Sequence, residues 1–272
     1  MIKHKHLTSK LIYGLAVAML FIALNGSARA DTIWAVVVAD TNDPHIGYSV
    51  GVDAGNVTRM LDDIAKQTDM DLKLQTISGN AFTAKSIDQA LNNIKPGTDD
   101  VVFFYYSGHG ERDLKSSDPW PEWNVNGQLV PYSDVLSRLD NGAPRLVIAL
   151  SDACNRDLRN SVVGATIVSD DGHGSKEQWS YKDLFKSTTG YFVASSASPG
   201  ELSTVVGEGS AFTKSFLNSV TYAMRTAGVT WQDIKEITGQ PIPVLFKENN
   251  LQTAFTKMDI RGLADPEPHY PF

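Results

Sequence analysis

The chain has 272 residues, 42% of them hydrophobic and 20% charged, with a formal net charge of −7. That length and apolar content suffice for one domain with its own core, and the acidic balance argues against nucleic acid as a partner. Cys154 is the only cysteine, so no disulfide can form within the chain, and the six histidines are too scattered for a zinc site.

Residues 1–30 read as a secretory signal peptide. Lys3, Lys5 and Lys10 make a basic start, Leu11–Leu24 is apolar but short for a bilayer span, and Ala28-Arg29-Ala30 is an A-x-A cleavage signature. An uncleaved N-terminal anchor is the competing reading. Cleavage before Asp31 removes four basic residues and no acids, leaving 20 basic and 31 acidic side chains, a formal net of −11. The expectation is an exported mature domain over 31–272, periplasmic or secreted, with no stable membrane association.

The mature chain opens on Ile33–Ala39, an apolar β-branched run that predicts a buried strand ending at Asp40. A polar loop, TNDPHIGYSVG, follows. Val57, Met60, Leu61 and Ile64 recur at helical spacing within 53–66. Leu72–Ile77 predicts a strand and Ala84–Ile94 a helix with Ile87, Leu91 and Ile94 inward, closed by Pro96-Gly97. Val101–Tyr106 is a second apolar run, and after a loop rich in Pro, Trp and Asp comes a helix over 133–139. Leu146–Leu150 predicts a third buried strand, 155–188 a long excursion, and 190–196 a return to the sheet. A helix over 210–227 presents Phe212, Phe216, Val220 and Met224 inward, and the tail holds one more helix and a last strand near 243–247. Strand and helix alternate, so the expected class is α/β, with a mostly parallel sheet and helices on both faces.

Two strand ends carry the chemistry. Val101–Tyr106 breaks into Ser107-Gly108-His109-Gly110, and Leu146–Leu150 into Ser151-Asp152-Ala153-Cys154. If these strands are parallel neighbours, an imidazole and the only thiol emerge side by side at the carboxyl edge, where open α/β sheets place their ligands. That pairing suits nucleophilic catalysis; the bland readings are a His in a strand-to-loop turn and a buried inert Cys. No side chain presents itself as the orienter of His109. A second Gly-His-Gly at 172–174 lies in polar sequence and reads as a loop. Gly47-Tyr48-Ser49-Val50-Gly51 fits the G-x-S-x-G pattern of a serine hydrolase, but Ser49 stands well beyond the end of its strand.

An apolar strand ending S-G-H-G-E, followed by an apolar strand ending D-A-C, resembles the caspase-like cysteine peptidases, and within them the metacaspases and their bacterial relatives. Gly51-Val52-Asp53-Ala54 is similar to the start of that family's first helix, and 194–213 to its fifth strand, substrate-binding loop and following helix. The resemblance implies a three-layer caspase-like sandwich and endopeptidase activity on peptide or protein substrates. It makes His109 the general acid–base, Cys154 the nucleophile, and the N–H groups of Gly110 and Cys154 the oxyanion donors. It puts Asp53, Asp152 and Ser203 in the substrate pocket, favouring Arg over Lys before the scissile bond. It implies a large-subunit-like part over 31–154, a linker over 155–188 in which self-cleavage occurs, and a small-subunit-like part over 189–272. The chain departs from the pattern after the thiol, where Asn155, Arg156 and Asp157 stand in place of His, Ser and Gly. The acidic insertion that binds calcium in many metacaspases is not evident between Glu111 and Pro131, where Asp113, Asp118 and Glu122 are scattered, so no cofactor is expected. Oligomeric state stays open, as do a non-catalytic member of the fold acting as a binding module and a serine hydrolase using Ser49.

Overall fold

The computed structural model describes residues 31–113, 115–157, 181–205, 208–226, 228–243 and 251–262. All of them belong to the unit Asp31–Phe272, one of the two into which the chain divides. The expected leader, the second Gly-His-Gly and most of the excursion after the thiol lie outside the described residues.

Strands β1 (Thr32–Ala39), β2 (Asp71–Ser78), β3 (Val101–Ser107), β7 (Leu146–Asp152), β8 (Thr188–Ser195) and β11 (Phe255–Gly262) form one sheet in the order β11-β8-β7-β3-β1-β2. All pairs are parallel except β8 with β11. Every residue of β3 and β7 is buried, as their unbroken apolar runs require of central strands covered on both faces.

Successive side chains point to opposite faces. Ala35, Val37, Phe103 and Tyr105 pack with α1 (Gly47–Thr68), α5 (Ala211–Arg225) and α6 (Trp231–Thr238). Val36, Val38, Phe104 and Tyr106 pack with α2 (Ala84–Asn93) and α3 (Tyr132–Leu139). That is a three-layer α/β sandwich. A short helix, α4 (Lys182–Phe185), leads into β8, and a strand pair, β9 (Ile242–Pro243) with β10 (Leu251–Gln252), precedes β11. Among the described residues no helix is long and apolar enough to cross a membrane.

Three expectations change. Helix α1 begins at Gly47, six residues before the expected start, because Gly47 packs against the Thr41 carbonyl; a Cβ there would stand 2.6 Å from that oxygen. The loop after β3 contains a small antiparallel sheet of β4 (Gly110–Glu111), β5 (Glu122–Val125) and β6 (Gln128–Pro131), whose Trp123 is fully buried. The last strand of the main sheet is 255–262; of the expected 243–247, Pro243 ends β9 and 244–247 lie outside the described residues. Met224 lies in α5 as expected, but its side chain is outside the described ones.

Candidate active site

From β1 the chain crosses outward to β2, and from β3 it crosses the other way to β7, so the sheet's topological switch lies between β1 and β3. In open α/β folds the crevice at that point, beyond the carboxyl ends of the strands, is where ligands sit. Asp40 and Asp43 follow β1 there, and His109 follows β3.

In the β3–β7 ladder Ser107 pairs with Asp152. His109 and Cys154 are each two residues past that rung. The Gly108 N–H donates to the Asp152 carbonyl (3.2 Å), carrying the contact beyond the strands. Gly110 then lies directly on the thiol segment: a Cβ on it would stand 2.6 Å from the Cys154 carbonyl oxygen and 2.7 Å from the Ala153 Cβ, so only glycine allows this approach. The His109 carbonyl accepts from the Tyr106 hydroxyl (2.8 Å) and the Asn124 N–H (3.0 Å). Tyr106 in turn stacks on Trp123 at 4.2 Å between ring centroids, and the Trp123 indole N–H donates to Ser151 (2.8 Å).

Burial pushes the Cys154 pKa up, and the Asp152 charge adds to it. The resting group is therefore a thiol that needs a base before it can attack. Its S–H points to the Ser203 carbonyl at 3.9 Å. The neighbouring N–H groups are occupied, Ala153 by Ser196 Oγ (3.1 Å) and Asn155 by the Glu201 carbonyl (3.0 Å). Among the described residues the Cys154 N–H meets no acceptor but its own sulfur. Gly110 faces Trp123 as the next pair after the bonded His109–Asn124 rung, so its N–H points away from β5. Asn155, where the family pattern has His, is fully buried, and its side-chain amide ties Pro119 (2.9 Å) to Ala197 (3.1 Å).

The sequence offered no orienter for His109, and here the structure adds a residue. His109 Nε2 lies 2.9 Å from Asp43 Oδ2. The other carboxylate oxygen of Asp43 accepts the N–H groups of His45 (2.8 Å) and Ile46 (2.9 Å), which caps the turn leading into α1. Burial raises the Asp43 pKa, but these two N–H groups and His109 outweigh it and hold the carboxyl below its ordinary value. Asp40 beside it is raised, by burial and by the Asp43 charge. Asp40, Asp43 and His109 are the set among the described residues whose potential metal-ligating atoms lie within 4.8 Å of one another. Both oxygens of Asp43 are already engaged there.

Beside the thiol lies a buried acidic cluster. Asp53 is fully buried inside α1, not at its start, so it does not cap that helix. Asp152 accepts hydroxyls from Ser203 (2.8 Å), Thr213 (2.5 Å) and Ser210. Asp53 Oδ2 accepts the Ser210 N–H (2.8 Å), while its Oδ1 is buried with no hydrogen-bond partner among the described residues. Burial, with the Asp152 charge, pushes the Asp53 pKa up to about 8, and burial also raises Asp152 against the hydroxyls around it. Gly209 crosses over Asp53 at φ +129°, and a side chain there would strike Oδ1. Asp53, Asp152 and Ser203 therefore lie in one hydrogen-bonded cluster, and Ser210 and Thr213 join them from the start of α5. Ser49 lies inside α1, well past the end of β1 at Ala39, so the strand–turn–helix elbow a serine nucleophile needs is not formed.

Asp113, Asp118 and Glu122, scattered in the sequence, line one cavity of about 330 Å³ with Asp134 and Arg112.

Residues 43–239 match the family described as Caspase domain. Two solved structures are similar in fold. A protein from Geobacter sulfurreducens is 15% identical, with 88% of this chain and 95% of that one covered, at a TM-score of 0.48. Caspase-1 from Spodoptera frugiperda is 13% identical, with 86% and 89% covered, also at 0.48. No curated protein matches the chain.

Proposed function

The chain belongs to the caspase-domain family, and on that footing we propose that it is a cysteine endopeptidase of metacaspase type that cleaves after Arg, and less readily after Lys. Cys154 is the nucleophile and His109 the acid–base. The observation that carries this reading is the shared rung: imidazole and thiol each stand two residues beyond the Ser107–Asp152 pair, with Gly110 packed on Cys154.

The Sγ proton passes to His109 as sulfur attacks the carbonyl carbon before the scissile bond. Negative charge gathers on the carbonyl oxygen, and the N–H groups of Cys154 and Gly110 stabilise it. The C–N bond breaks, His109 returns the proton to the leaving amine, and water hydrolyses the thioester with His109 again as base. The acidic pocket supports a basic side chain at the preceding position. Among the described residues Asp53 Oδ1 has no hydrogen-bond partner, and the fixed planar fork of a guanidinium suits the bridging of two carboxylates better than a compact ammonium does.

We further propose that residues 1–30 are a cleaved leader that exports the enzyme, and that self-processing separates 31–154 from 189–272 within the linker 155–188. No step is assigned to a metal.

The test is a positional-scanning peptide library with the mature wild-type protein and Cys154→Ala, together with iodoacetamide labelling. Cleavage after basic residues that is lost in Cys154→Ala, with alkylation at Cys154 tracking inactivation, is the expected result. Equal turnover by both proteins would overturn the assignment, and labelling without turnover on any peptide would leave a binding module.

A further inference from the structure

Asp43 is 66 residues from His109 in sequence, yet its carboxylate meets the imidazole at 2.9 Å. We propose that Asp43 is a positioning residue for His109: it holds the proton on Nε2 and turns Nδ1 toward the thiol and the leaving amine. This rests on reading His109 as the acid–base of a thiol peptidase.

Three observations carry it. Asp43 cannot swing away, because Oδ1 is held by the N–H groups of His45 and Ile46, and its own carbonyl accepts the Gly47 N–H (2.9 Å) at the start of α1. Oδ2 is thereby aimed at a fixed point, and the ring nitrogen at that point is Nε2. The backbone of His109 is fixed independently through its carbonyl, by Tyr106 and Asn124. With both ends tied, the ring has one orientation, and an acceptor-only carboxylate on Nε2 selects the Nε2–H tautomer, leaving the Nδ1 lone pair free.

Proton movements then balance. The proton leaving Sγ arrives on Nδ1, and the imidazolium so formed has N–H on both nitrogens, with the Asp43 carboxylate facing one of them. When Nδ1 gives its proton to the departing amine, the ring returns to the Nε2–H form. Asp43 itself never takes a proton, in keeping with a carboxyl held below its ordinary pKa by three donors.

Asp43→Asn is the informative variant. Asn keeps the cap, because its side-chain oxygen can still accept the His45 and Ile46 N–H groups. What it then presents to His109 is an NH₂ donor, which selects the opposite tautomer, with the proton on Nδ1 and no lone pair toward the thiol. The readouts are kcat and KM on the preferred peptide, thermal stability, and long-range proton–nitrogen spectra of protein labelled with ¹⁵N-histidine, with His109 assigned by its loss in His109→Ala. In wild type the His109 ring should be Nε2–H. In Asp43→Asn it should be Nδ1–H, with kcat at least about tenfold lower, KM changed by less than about threefold and the melting temperature preserved. A ring that stays Nε2–H in Asp43→Asn, or a kcat loss smaller than tenfold, overturns the proposal. If the wild type cleaves no peptide, the peptidase reading fails, and the spectra alone decide whether Asp43 sets the tautomer.

Discussion

Asp53 and Asp152 are joined by one residue, Ser210, which gives its backbone N–H to Asp53 and its hydroxyl to Asp152. The first comes from helix α1 and the second from the end of β7, so the N-cap of α5 is the clasp between them. Asp152 is satisfied on both oxygens, Oδ2 by Ser210 and Thr213 and Oδ1 by Ser203, but among the described residues Asp53 on one only. The two acids are therefore unequal. Asp152 is a fixed wall, and Asp53 carries the open valence.

Specificity should follow that inequality. Removing one partner of a desolvated charge pair costs about 2–5 kcal/mol, so Asp53→Asn should lower kcat/KM for Arg peptides at least about tenfold while leaving the fold intact. Asp152→Ala should lower it at least as much, and should also destabilise the protein by stranding three hydroxyls. Matched Arg, Lys and Asp fluorogenic peptides check the order Arg, Lys, Asp in wild type; a preference for Asp would reverse the pocket assignment.

The same acid gives a pH signature. The Asp53 pKa of about 8 lies above the unfolded value of 3.8, so the folded state binds its proton more tightly. Its contribution to stability is full below pH 3.8 and is lost as pH rises through about 8. Wild type should therefore lose stability across that window relative to Asp53→Asn, as read by denaturant titration at several pH values. A guanidinium binds the ionised pair, so Arg-peptide binding to Cys154→Ala should release protons and tighten as pH approaches 8. Calorimetry in buffers of different ionisation enthalpy counts those protons. Parallel stability profiles for wild type and Asp53→Asn would show that Asp53 is not the titrating group.

The contact of Gly110 with Cys154 predicts an activity defect larger than the stability defect. Gly110→Ala must push apart the two segments that hold imidazole and thiol. Overpacking of this kind costs about 1–3 kcal/mol of stability, whereas a displacement near 1 Å costs roughly a hundredfold in rate. The check is kcat beside the melting temperature; wild-type turnover in Gly110→Ala would mean that this approach does not set the catalytic geometry.

Nucleophile and acid–base act as one unit, so Cys154→Ala and His109→Ala should each abolish turnover, and the double variant should be no worse than either. His109 and Cys154 are only partly buried, so all three proteins should melt close to wild type. Progressive loss on combining the two changes would separate their roles.

What could be read from the chain divides by physical cause. Strands β1, β3, β7 and β8 announce themselves because both faces are buried, and their continuous apolar runs also fix where His109 and Cys154 leave the sheet. Strand β11 hides because it is an edge strand in which Lys257, Asp259 and Arg261 alternate with Met258 and Ile260. The start of α1 hides because Gly47, Ser49, Gly51 and Gly55 are poor helix formers, and packing against the loop after β1 overrides propensity there. Asp43 had one local signal, an Asp three residues before Ile46, which reads as a cap. Its meeting with His109 is set by the β1–β3 pairing and has no local signature. Of the hydroxyls around Asp152, Ser203 is implied by the family resemblance alone; Ser210 and Thr213 are likewise unreadable in advance, since they reach it only through the path of the chain after β8.

That path has a consequence for biogenesis. Imidazole and thiol are complete once residue 154 has been made, but the pocket that would hold a basic side chain needs Ser203, Gly209, Ser210 and Thr213. A chain emerging from the ribosome amino end first therefore owns its nucleophile well before it owns a place to seat a substrate.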